Sequence, residues 1–230
     1  MAATVKAGFK IVKSIARPDP ELVTQFRGLV AANISDVQGR QNTMDARIKP
    51  IFQPMPTLVG PAVTVKARPG DNLVAFKAIE LAQPGDVIVI AGGFDINYTV
   101  WGGIMSSMAK KKGIAGVVTD ALVRDVQQTQ AVGFPVFAIG LTPAGPTKDG
   151  VGQINTPISC GGVVVLPGDI IVGDDDGVVV VRSDEASEVL ERTRARVALE
   201  ESWLERIGRG ELFLMDSDDE LRERGCEIVD

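Results

Sequence analysis

The sequence predicts an α/β fold with partly parallel sheets, and two patterns carry this prediction. Short apolar runs rich in β-branched residues begin at Leu58 and are separated by turns of glycine and proline. Stretches with the apolar spacing of a helix lie between several of these runs, and strands that alternate with helices are typical of parallel sheets. The chain has 230 residues, of which 45% are apolar, so it can bury a full hydrophobic core.

The stretch before Leu58 is expected to be mainly helical. A helix is predicted over 20–32, because apolar residues such as Leu22 and Phe26 recur there with helical spacing after an Asp-Pro start. Residues 33–36 include Asn, Ser and Asp side chains, which are suited to capping a second, short helix.

Seven strands and three helices are predicted in the middle of the chain. The strands are expected at 62–67, 87–91, 116–120, 135–139, 162–166, 170–172 and 178–182. The helices are expected at 72–82, 99–112 and 123–132. The last three strands follow one another with no room for helices between them, so an antiparallel portion is also predicted.

The tripeptide Pro-Gly-Asp occurs at 69–71, 84–86 and 167–169. Proline fixes φ and glycine tolerates positive φ, so each occurrence predicts a tight turn. The second and third occurrences lead directly into a predicted strand.

A charged helix is predicted from Ser183 to about Arg206, with Ser183 as a capping residue. Its apolar stripe comprises Val189, Leu190, Val197 and Leu204. We expect this helix to pack on the rest of the domain or on a neighbouring subunit, and a further short helix is predicted at 218–224. No long linker is evident, so we expect one domain with N-terminal helices at 1–57, an α/β core at 58–182 and a C-terminal helical arm at 183–230.

The composition excludes several kinds of chemistry, because the chain contains no histidine. Ser-His-Asp or Cys-His catalysis and imidazole-ligated zinc are therefore ruled out. A catalytic metal would need oxygen ligands, which favours Mg²⁺ or Mn²⁺. Two cysteines, Cys160 and Cys226, are too few for a disulfide framework, and Cys160 is expected to be a small buried residue.

The charge and hydropathy patterns also limit the expected partners. A formal net charge of −6 argues against broad nucleic-acid binding. No apolar run approaches the roughly 18 residues of a membrane span, and the N-terminus lacks the apolar segment of a signal peptide. We therefore expect a cytoplasmic protein that binds neither nucleic acid nor membrane.

The first candidate site is Arg124-Asp125, which follows an apolar strand at 115–119 and precedes a helix. Ligands of α/β proteins usually bind at the carboxyl ends of strands. The planar guanidinium of Arg124 suits a carboxylate, and Asp125 offers a hard oxygen for a metal. The alternative interpretation is an ordinary helix start with a solvated arginine.

The second candidate site is the helix start at Trp101, Gly102, Gly103, Ile104 and Met105. Paired glycines that open a helix expose backbone N–H groups, which suit an anionic ligand. The alternative is a close helix contact with the tryptophan in the core.

Two charged runs favour structural interpretations. The acidic run at 174–176 lacks the distal glutamate of an EF-hand loop and is interpreted as a hairpin turn. The three lysines at 110–112 are interpreted as a solvated helix end.

Taken in order, these motifs resemble a known family. They are Pro-Gly-Asp-Asn at 69–72, Pro-Gly-Asp-Val at 84–87, Trp-Gly-Gly at 101–103, Asp-x3-Arg-Asp at 120–125, Cys-Gly-Gly at 160–162 and Gly-Asp-Asp-Asp-Gly-Val at 173–178. The succession resembles the regulator of ribonuclease activity A-like family, which includes class II pyruvate aldolases acting on 4-hydroxy-4-methyl-2-oxoglutarate and 4-carboxy-4-hydroxy-2-oxoadipate. The resemblance covers nearly the whole chain.

The resemblance implies an α/β sandwich of the swivelling type with mixed sheets, assembled as a homotrimer or a dimer of trimers with active sites at subunit clefts. It implies Asp125 as the ligand of Mg²⁺ or Mn²⁺, and Arg124 as the residue that binds the keto-acid end and stabilises the enolate. Backbone amides from Gly102 to Met105 would bind the substrate carboxylate. Glu200 would correspond to a glutamate that reaches a neighbouring subunit's site.

The implied activity is a metal-dependent lyase that releases pyruvate from a 4-hydroxy-2-oxo di- or tricarboxylic acid, with oxaloacetate decarboxylation as a side activity. The alternative is a non-catalytic regulator that binds a ribonuclease or another protein. One position departs from the aldolase pattern, because Gly103 stands where aldolases of the family usually carry Asp or Glu. The nearest acids in the sequence are Asp95 and Asp120.

Overall fold

The computed structural model describes residues 7–212 and 217–229, which form fourteen strands and seven helices. The strands are β1 (Lys10–Ile11), β2 (Lys49–Pro50), β3 (Leu58–Lys66), β4 (Val87–Ala91), β5 (Thr99–Trp101), β6 (Gly116–Thr119), β7 (Leu122–Val123), β8 (Val136–Ala138), β9 (Gly140–Leu141), β10 (Gln153–Ile154), β11 (Ile158–Cys160), β12 (Val163–Val165), β13 (Ile170–Asp174) and β14 (Gly177–Val181). The helices are α1 (Pro20–Thr24), α2 (Ala31–Val37), α3 (Leu73–Leu81), α4 (Gly103–Lys112), α5 (Val126–Ala131), α6 (Ala186–Gly208) and α7 (Ser217–Glu223).

The main sheet is built around the long strand β3. Its order is β1-β10-β3-β4-β6-β8-β2, and β3, β4, β6 and β8 run parallel to one another. The strands β10 and β2 are antiparallel to their neighbours β3 and β8. The hairpin β13–β14 joins through β13, which pairs antiparallel with the first half of β3. The predicted α/β class with mixed sheets is therefore confirmed.

A small parallel sheet, β5-β7-β9, was not predicted from the sequence. Each of its strands follows a strand of the main sheet, since β5 comes after β4, β7 after β6 and β9 after β8. The predicted helix at 99–112 is wrong at its start, because Thr99–Trp101 pair as β5 and the helix α4 begins at Gly103. The predicted helix at 123–132 likewise shortens to α5, because Val123 belongs to β7.

The hydrophobic core consists of three clusters that separate four layers. The first lies between one face of the main sheet and helices α3 and α4, and contains Trp101 stacked at 6.1 Å on Phe134. The second fills the space between the other face and the hairpins β11–β12 and β13–β14. The third joins β13–β14 to α1, α2 and the first turns of α6. The order of layers is helices, sheet, sheet, helices, which agrees with a sandwich.

The N-terminal region is less helical than predicted. The helix expected over 20–32 stops at Thr24, because the chain turns and Gly28 adopts a φ of +86°. Residues 33–36 do not cap a helix; they lie inside α2. The cap comes instead from Asp174, whose Oδ2 accepts a hydrogen bond from the N–H of Ala31 at 2.8 Å. The acidic run is therefore a hairpin turn, as predicted, and it also caps α2.

The C-terminal helix α6 begins after Glu185 rather than at Ser183, and its first residue has no side-chain cap. Val189 and Leu190 are buried against α2, whereas Leu204 is 67% exposed, so only the first half of the predicted stripe packs on this chain. Within the described part of the chain, no helix is long and apolar enough to cross a membrane.

All three Pro-Gly-Asp turns bury their aspartates, which the sequence pattern did not predict. Asp86 accepts two hydrogen bonds from the guanidinium of Arg17, at 2.8 and 2.7 Å, and one from the N–H of Gln83. Asp169 accepts the N–H of Leu166 in the same way. The turns before β4 and β13 are thus stabilised by hydrogen bonds to their own aspartate side chains.

Candidate active site at the carboxyl ends of three short strands

A cavity of about 270 Å³ opens where the small sheet ends. Gly102 directly follows β5 and Arg124 directly follows β7, and both line the cavity. The segment after β9 contributes Gly145 and Lys148, and the start of α3 contributes Asn72. The residues that follow β5, β7 and β9 therefore line one cavity, in agreement with the rule that ligands of α/β folds bind at the carboxyl ends of strands.

Arg124 and Asp125 lie side by side at the cavity, with the arginine Nε 3.5 Å from the aspartate Oδ2. Asp125 adopts the left-handed conformation, with a φ of +61°, at the start of α5. Its Oδ2 accepts a hydrogen bond from the N–H of Gly103 at 3.1 Å. The guanidinium of Arg124 donates no hydrogen bond to any described residue and is 42% exposed. Its donors are therefore available to a ligand.

The start of α4 supplies unpartnered backbone donors to the same cavity. The cap residue Gly102 has no side chain to offer, and the N–H of Gly103 is taken by Asp125. The N–H groups of Ile104 and Met105 have no acceptor among the described residues. Such N–H groups at a helix start bind anions, and the helix dipole adds to the attraction.

The two site segments approach each other closely at Gly102. A Cβ built on Gly102 would lie 2.8 Å from Oδ2 of Asp125 and 3.3 Å from Cγ of Arg124. A side chain at position 102 would therefore displace the carboxylate of Asp125 from its present position. This explains in physical terms why the Gly-Gly pair and the Arg-Asp pair occur together.

The position that departs from the aldolase pattern is filled by a neighbouring side chain. A Cβ on Gly103 would lie 2.3 Å from Oε1 of Gln128, so the amide of Gln128 occupies the space that an acid at 103 would need. Gln128 lies on α5, three residues after Asp125. Its amide can hydrogen-bond to water but does not titrate.

Neither acid near this position in the sequence lines the cavity. Asp120 is 2% exposed and accepts N–H groups of Gly92, Gly93 and Gly161 at 2.6, 3.2 and 3.3 Å. Burial outweighs these bonds and raises the pKa of Asp120 above its usual value. Asp95 bonds to Asn97 instead. Burial also raises the pKa of the Cys160 thiol, which is a core residue, as predicted.

The residues present fit a hydrated divalent cation rather than a fully protein-bound one. No group of three or more acidic or sulfur-bearing side chains that could enclose a metal occurs within 7–212 and 217–229. Asp125 therefore stands as a single carboxylate at the cavity, and its Oδ1 has no hydrogen-bond partner among the described residues. Mg²⁺ is commonly held by one or two carboxylates together with water and substrate oxygens.

Glu200 is not part of this cavity within one chain. Its carboxylate accepts hydrogen bonds from Nδ2 of Asn33 at 2.6 Å and from Nε of Arg196 at 2.8 Å. The bond from Asn33 joins α6 to α2, whereas Arg196 lies one turn earlier on α6 itself.

Sequence reasoning missed Asn72, Lys148 and Gln128. Asn72 and Lys148 come from segments far from Arg124 in sequence, and only the fold brings them to the cavity. The helical spacing between Asp125 and Gln128 was the one local signal that could have identified Gln128.

Comparisons with known proteins confirm the family that the sequence motifs resemble. Residues 31–180 match the RraA-like family, described as Aldolase/RraA. A protein of Halalkalibacterium halodurans named as a putative 4-hydroxy-4-methyl-2-oxoglutarate aldolase is 41% identical over 188 residues, which cover 82% of this chain and 89% of the relative. A Thermus thermophilus protein named as a 4-hydroxy-4-methyl-2-oxoglutarate aldolase is 33% identical, covering 48% of this chain and 68% of the relative.

A solved structure gives the same picture of the fold. The Streptomyces coelicolor protein RraAS2, described as an unusual member of the RNase ES inhibitor RraA protein family, matches with a TM-score of 0.70 at 28% identity. The match covers 85% of this chain and 100% of that one.

Proposed function

The chain belongs to the RraA-like (Aldolase/RraA) family, and from this premise we propose that it is a divalent-metal-dependent lyase that releases pyruvate from a 4-hydroxy-2-oxo di- or tricarboxylic acid. The observation that carries the proposal is the meeting of Arg124, Asp125 and the unpartnered amides of Ile104 and Met105 in one cavity. The aldolase names of two relatives support carbon–carbon bond cleavage as the reaction.

The backbone donors and Arg124 would divide the recognition of the 2-oxo acid between them. The N–H groups of Ile104 and Met105 would bind its carboxylate. The guanidinium of Arg124 would donate to the 2-keto oxygen. When the bond between C3 and C4 breaks, its electrons move towards that oxygen, and donors fixed around a developing negative charge lower the barrier.

Asp125 would hold the metal, either Mg²⁺ or Mn²⁺. Its backbone conformation and the N–H of Gly103 fix the direction of the carboxylate. A bound ion of this kind supplies Lewis-acid polarisation of a carbonyl oxygen.

The proton transfers would use water rather than a titrating side chain. The reaction requires a proton to leave the 4-hydroxyl group and a proton to reach C3 of the product. The chain has no histidine, and the amide of Gln128 beside Gly103 can orient a water molecule but cannot take its proton.

The direct test is a coupled assay with lactate dehydrogenase and a panel of 4-hydroxy-2-oxo acids. Protein with Mg²⁺ or Mn²⁺ should release pyruvate, and EDTA should abolish the release until metal is added back. Asp125→Asn should lose both activity and Mn²⁺ binding measured by electron paramagnetic resonance. Pyruvate release that is insensitive to EDTA, or no release from any member of the panel, contradicts the proposal.

A second candidate is a non-catalytic regulator that binds a ribonuclease. It is favoured by the amide at Gln128 where an acid is expected, and by the likeness to a protein described within a ribonuclease inhibitor family. Binding to a ribonuclease without Mn²⁺ binding or pyruvate release would support this candidate.

We also propose assembly as a homotrimer or a dimer of trimers, with Glu200 reaching a neighbouring subunit's site. Sedimentation equilibrium would measure the subunit number. A mixture of inactive Arg124→Ala and Glu200→Ala chains should regain activity if the two residues serve one site from different subunits.

A further inference from the structure

Three buried polar side chains meet where α4 packs on α5, next to the residues that line the cavity. Ser106 on α4 and Thr129 on α5 are fully buried, and Trp101 is 1% exposed. A serine or threonine inside a helix commonly bonds to the carbonyl group four residues earlier, which is a local arrangement within one helix. The contacts of Ser106 extend beyond its own helix, and the function proposed above gives them no role.

The hydroxyl group of Ser106 has three partners, which come from β5, from α5 and from the cap of α4. Its Oγ accepts a hydrogen bond from Nε1 of Trp101 at 2.9 Å and lies 3.1 Å from Oγ1 of Thr129. It also donates to the carbonyl oxygen of Gly102 at 3.2 Å. A serine hydroxyl has one donor and two acceptor positions, so Thr129 is the donor in its contact with Ser106.

Ser106 thereby holds the peptide group that bonds to Asp125. The carbonyl of Gly102 and the N–H of Gly103 belong to one peptide group, which is planar. Its oxygen accepts both the N–H of Ser106, at 3.0 Å, and the hydroxyl of Ser106. Its N–H donates to Oδ2 of Asp125 at 3.1 Å. The orientation of this peptide group therefore determines where the carboxylate of Asp125 is held.

Thr129 completes a closed ring of hydrogen bonds. Its backbone N–H donates to the carbonyl oxygen of Asp125 at 3.0 Å, and its hydroxyl donates to Ser106. The ring starts at the carboxylate of Asp125 and passes through the peptide group between residues 102 and 103. It continues through Ser106 and Thr129 and ends at the backbone of the same aspartate. We refer to it as the hydrogen-bond ring.

Trp101 connects the hydrogen-bond ring to Arg124. Its indole Nε1 donates to Ser106, and its backbone carbonyl accepts the N–H of Arg124 at 3.1 Å. Arg124 and Asp125 are therefore held by the same small set of hydrogen bonds. Asp125 depends on such support, because its φ of +61° is one that residues other than glycine rarely adopt.

We propose that Ser106 and Thr129 are positioning residues that set the affinity of Asp125 for a divalent cation. Removing a partner that orients a metal-binding side chain typically costs about 10- to 100-fold in metal affinity. The inference rests on the proposed function for the role of Asp125 as the metal ligand. It assigns part of the metal affinity to two residues that do not line the cavity themselves.

Titration with Mn²⁺, followed by electron paramagnetic resonance, measures this affinity without any substrate. Ser106→Ala should weaken Mn²⁺ binding by about tenfold, because the oxygen of Gly102 loses one of its two donors. Ser107→Ala is the matched control. The hydroxyl of Ser107 also donates to a carbonyl four residues earlier, that of Gly103 at 2.9 Å, but it lies outside the hydrogen-bond ring. The control should bind Mn²⁺ as the wild type does, and equal losses in the two variants overturn the proposal.

Two variants of Thr129 separate positioning from stability. Thr129→Val keeps the shape of the side chain and removes the hydroxyl, so Mn²⁺ binding should weaken. Thr129→Ser keeps the hydroxyl and removes a buried methyl group, so the thermal midpoint should fall while Mn²⁺ binding stays at the wild-type value. Thr193→Val is the control for loss of a buried hydroxyl, since Oγ1 of Thr193 donates to Val189 within α6. Mn²⁺ affinity that follows the thermal midpoint across these variants would show a purely structural role and overturn the proposal.

Measuring metal binding and pyruvate release on the same proteins lets the two proposals fail separately. If Asp125→Asn abolishes Mn²⁺ binding and Ser106→Ala weakens it, but no substrate yields pyruvate, the positioning role stands and the lyase function falls. If pyruvate is released and Ser106→Ala binds Mn²⁺ as tightly as the wild type, the positioning role falls and the lyase function stands. If the wild type binds no Mn²⁺, both proposals fall.

Discussion

Two Pro-Gly-Asp turns lie at opposite ends of the neighbouring parallel strands β3 and β4. Each turn buries its aspartate, but the two aspartates have different partners. The turn at 84–86 precedes β4, and Asp86 pairs with a cation, Arg17, and with its own turn. The turn at 69–71 follows β3, and Asp71 has no cation partner among the described residues. It accepts four hydrogen bonds instead, three of which come from residues 147–150.

This difference indicates that the turn at the amino end of the strands contributes to stability, whereas the turn at the carboxyl end also contributes to ligand binding. At the amino end of β4, the carboxylate closes an ion pair that ties the N-terminal segment to the sheet. At the carboxyl end of β3, an identical tripeptide holds the loop that presents Lys148 to the cavity. Substitutions at the first end should therefore cost folding free energy, and substitutions at the second should also cost ligand affinity.

The largest expected effect is a loss of activity from substitution of Arg124, which follows the carboxyl end of β7. Arg124→Ala should lower kcat for pyruvate release by about a thousandfold, because it removes donors aimed at a developing oxyanion. The thermal midpoint should change little, since the side chain is 42% exposed and its one ion pair, with Asp125, is also exposed to solvent. Arg124→Lys is the matched control; it keeps the charge, loses the planar fork and should retain intermediate activity. A large fall in the midpoint of Arg124→Ala would show that Arg124 also supports the fold.

A loss of stability without a loss of ligand affinity is expected in the turn at the amino end of β4. Asp86→Ala should lower the free energy of unfolding by about 3 kcal/mol, because it leaves the partly buried guanidinium of Arg17 without its partner. Urea denaturation measures this change. The KM of the folded variant should equal that of the wild type. A raised KM would break the proposed separation of the two ends.

An intermediate effect is expected at Asp71. Asp71→Asn keeps one acceptor oxygen but loses the charge, so it should cost about 2 kcal/mol of unfolding free energy. The loop at 147–150 lines the cavity through Lys148 and should also loosen, so the KM for a 4-hydroxy-2-oxo acid should rise. An unchanged KM would contradict the assigned role of the loop.

The smallest expected effect is a difference between Asp71 and Asp169 in how their contributions to the free energy of unfolding depend on pH. Burial alone would raise the pKa of Asp71, but its four hydrogen bonds together outweigh burial and hold the pKa below the usual value. Its contribution is therefore present above the unfolded pKa of about 3.9 and is lost as pH falls through the folded pKa. The difference in unfolding free energy between the wild type and Asp71→Asn should narrow on acidification.

The third turn provides a control of opposite sign. Burial raises the pKa of Asp169 despite the N–H groups of Leu166 and Ser183. A raised folded pKa gives stability that is present below the unfolded pKa and is lost as pH rises through the folded pKa. The difference between the wild type and Asp169→Asn should therefore grow on acidification. Parallel trends in the two variants would contradict these assignments.

The sequence predicted the parts of the fold in which local pattern and tertiary structure agree. The strand β4 was predicted at its observed bounds, because its five apolar residues are buried on both faces of the sheet. The Arg124-Asp125 pair was also identified as a candidate site, since it follows a strand and precedes a helix. Both features depend on a few consecutive residues.

The missed features depend on partners far away in the chain. Strands β5, β7 and β9 have two or three residues each, too few to show an alternating pattern. The cap of α2 is Asp174, which lies 143 positions after Ala31. The segments of Lys148 and Asn72 are joined by the carboxylate of Asp71 and by backbone hydrogen bonds between Thr147 and residues 70–72, and no local spacing reveals these long-range contacts.

The three short strands have a consequence for how such a protein diverges. A different stretch of the chain follows each strand into the same cavity, so the walls of the cavity come from segments that are separate in sequence. The stretch after β9 lines the cavity beside Arg124, and it is anchored by the buried carboxylate of Asp71 and by backbone hydrogen bonds to Gly70, Asn72 and Thr99. Recombination or drift confined to that stretch can alter which molecules fit while the inherited reacting groups stay in place.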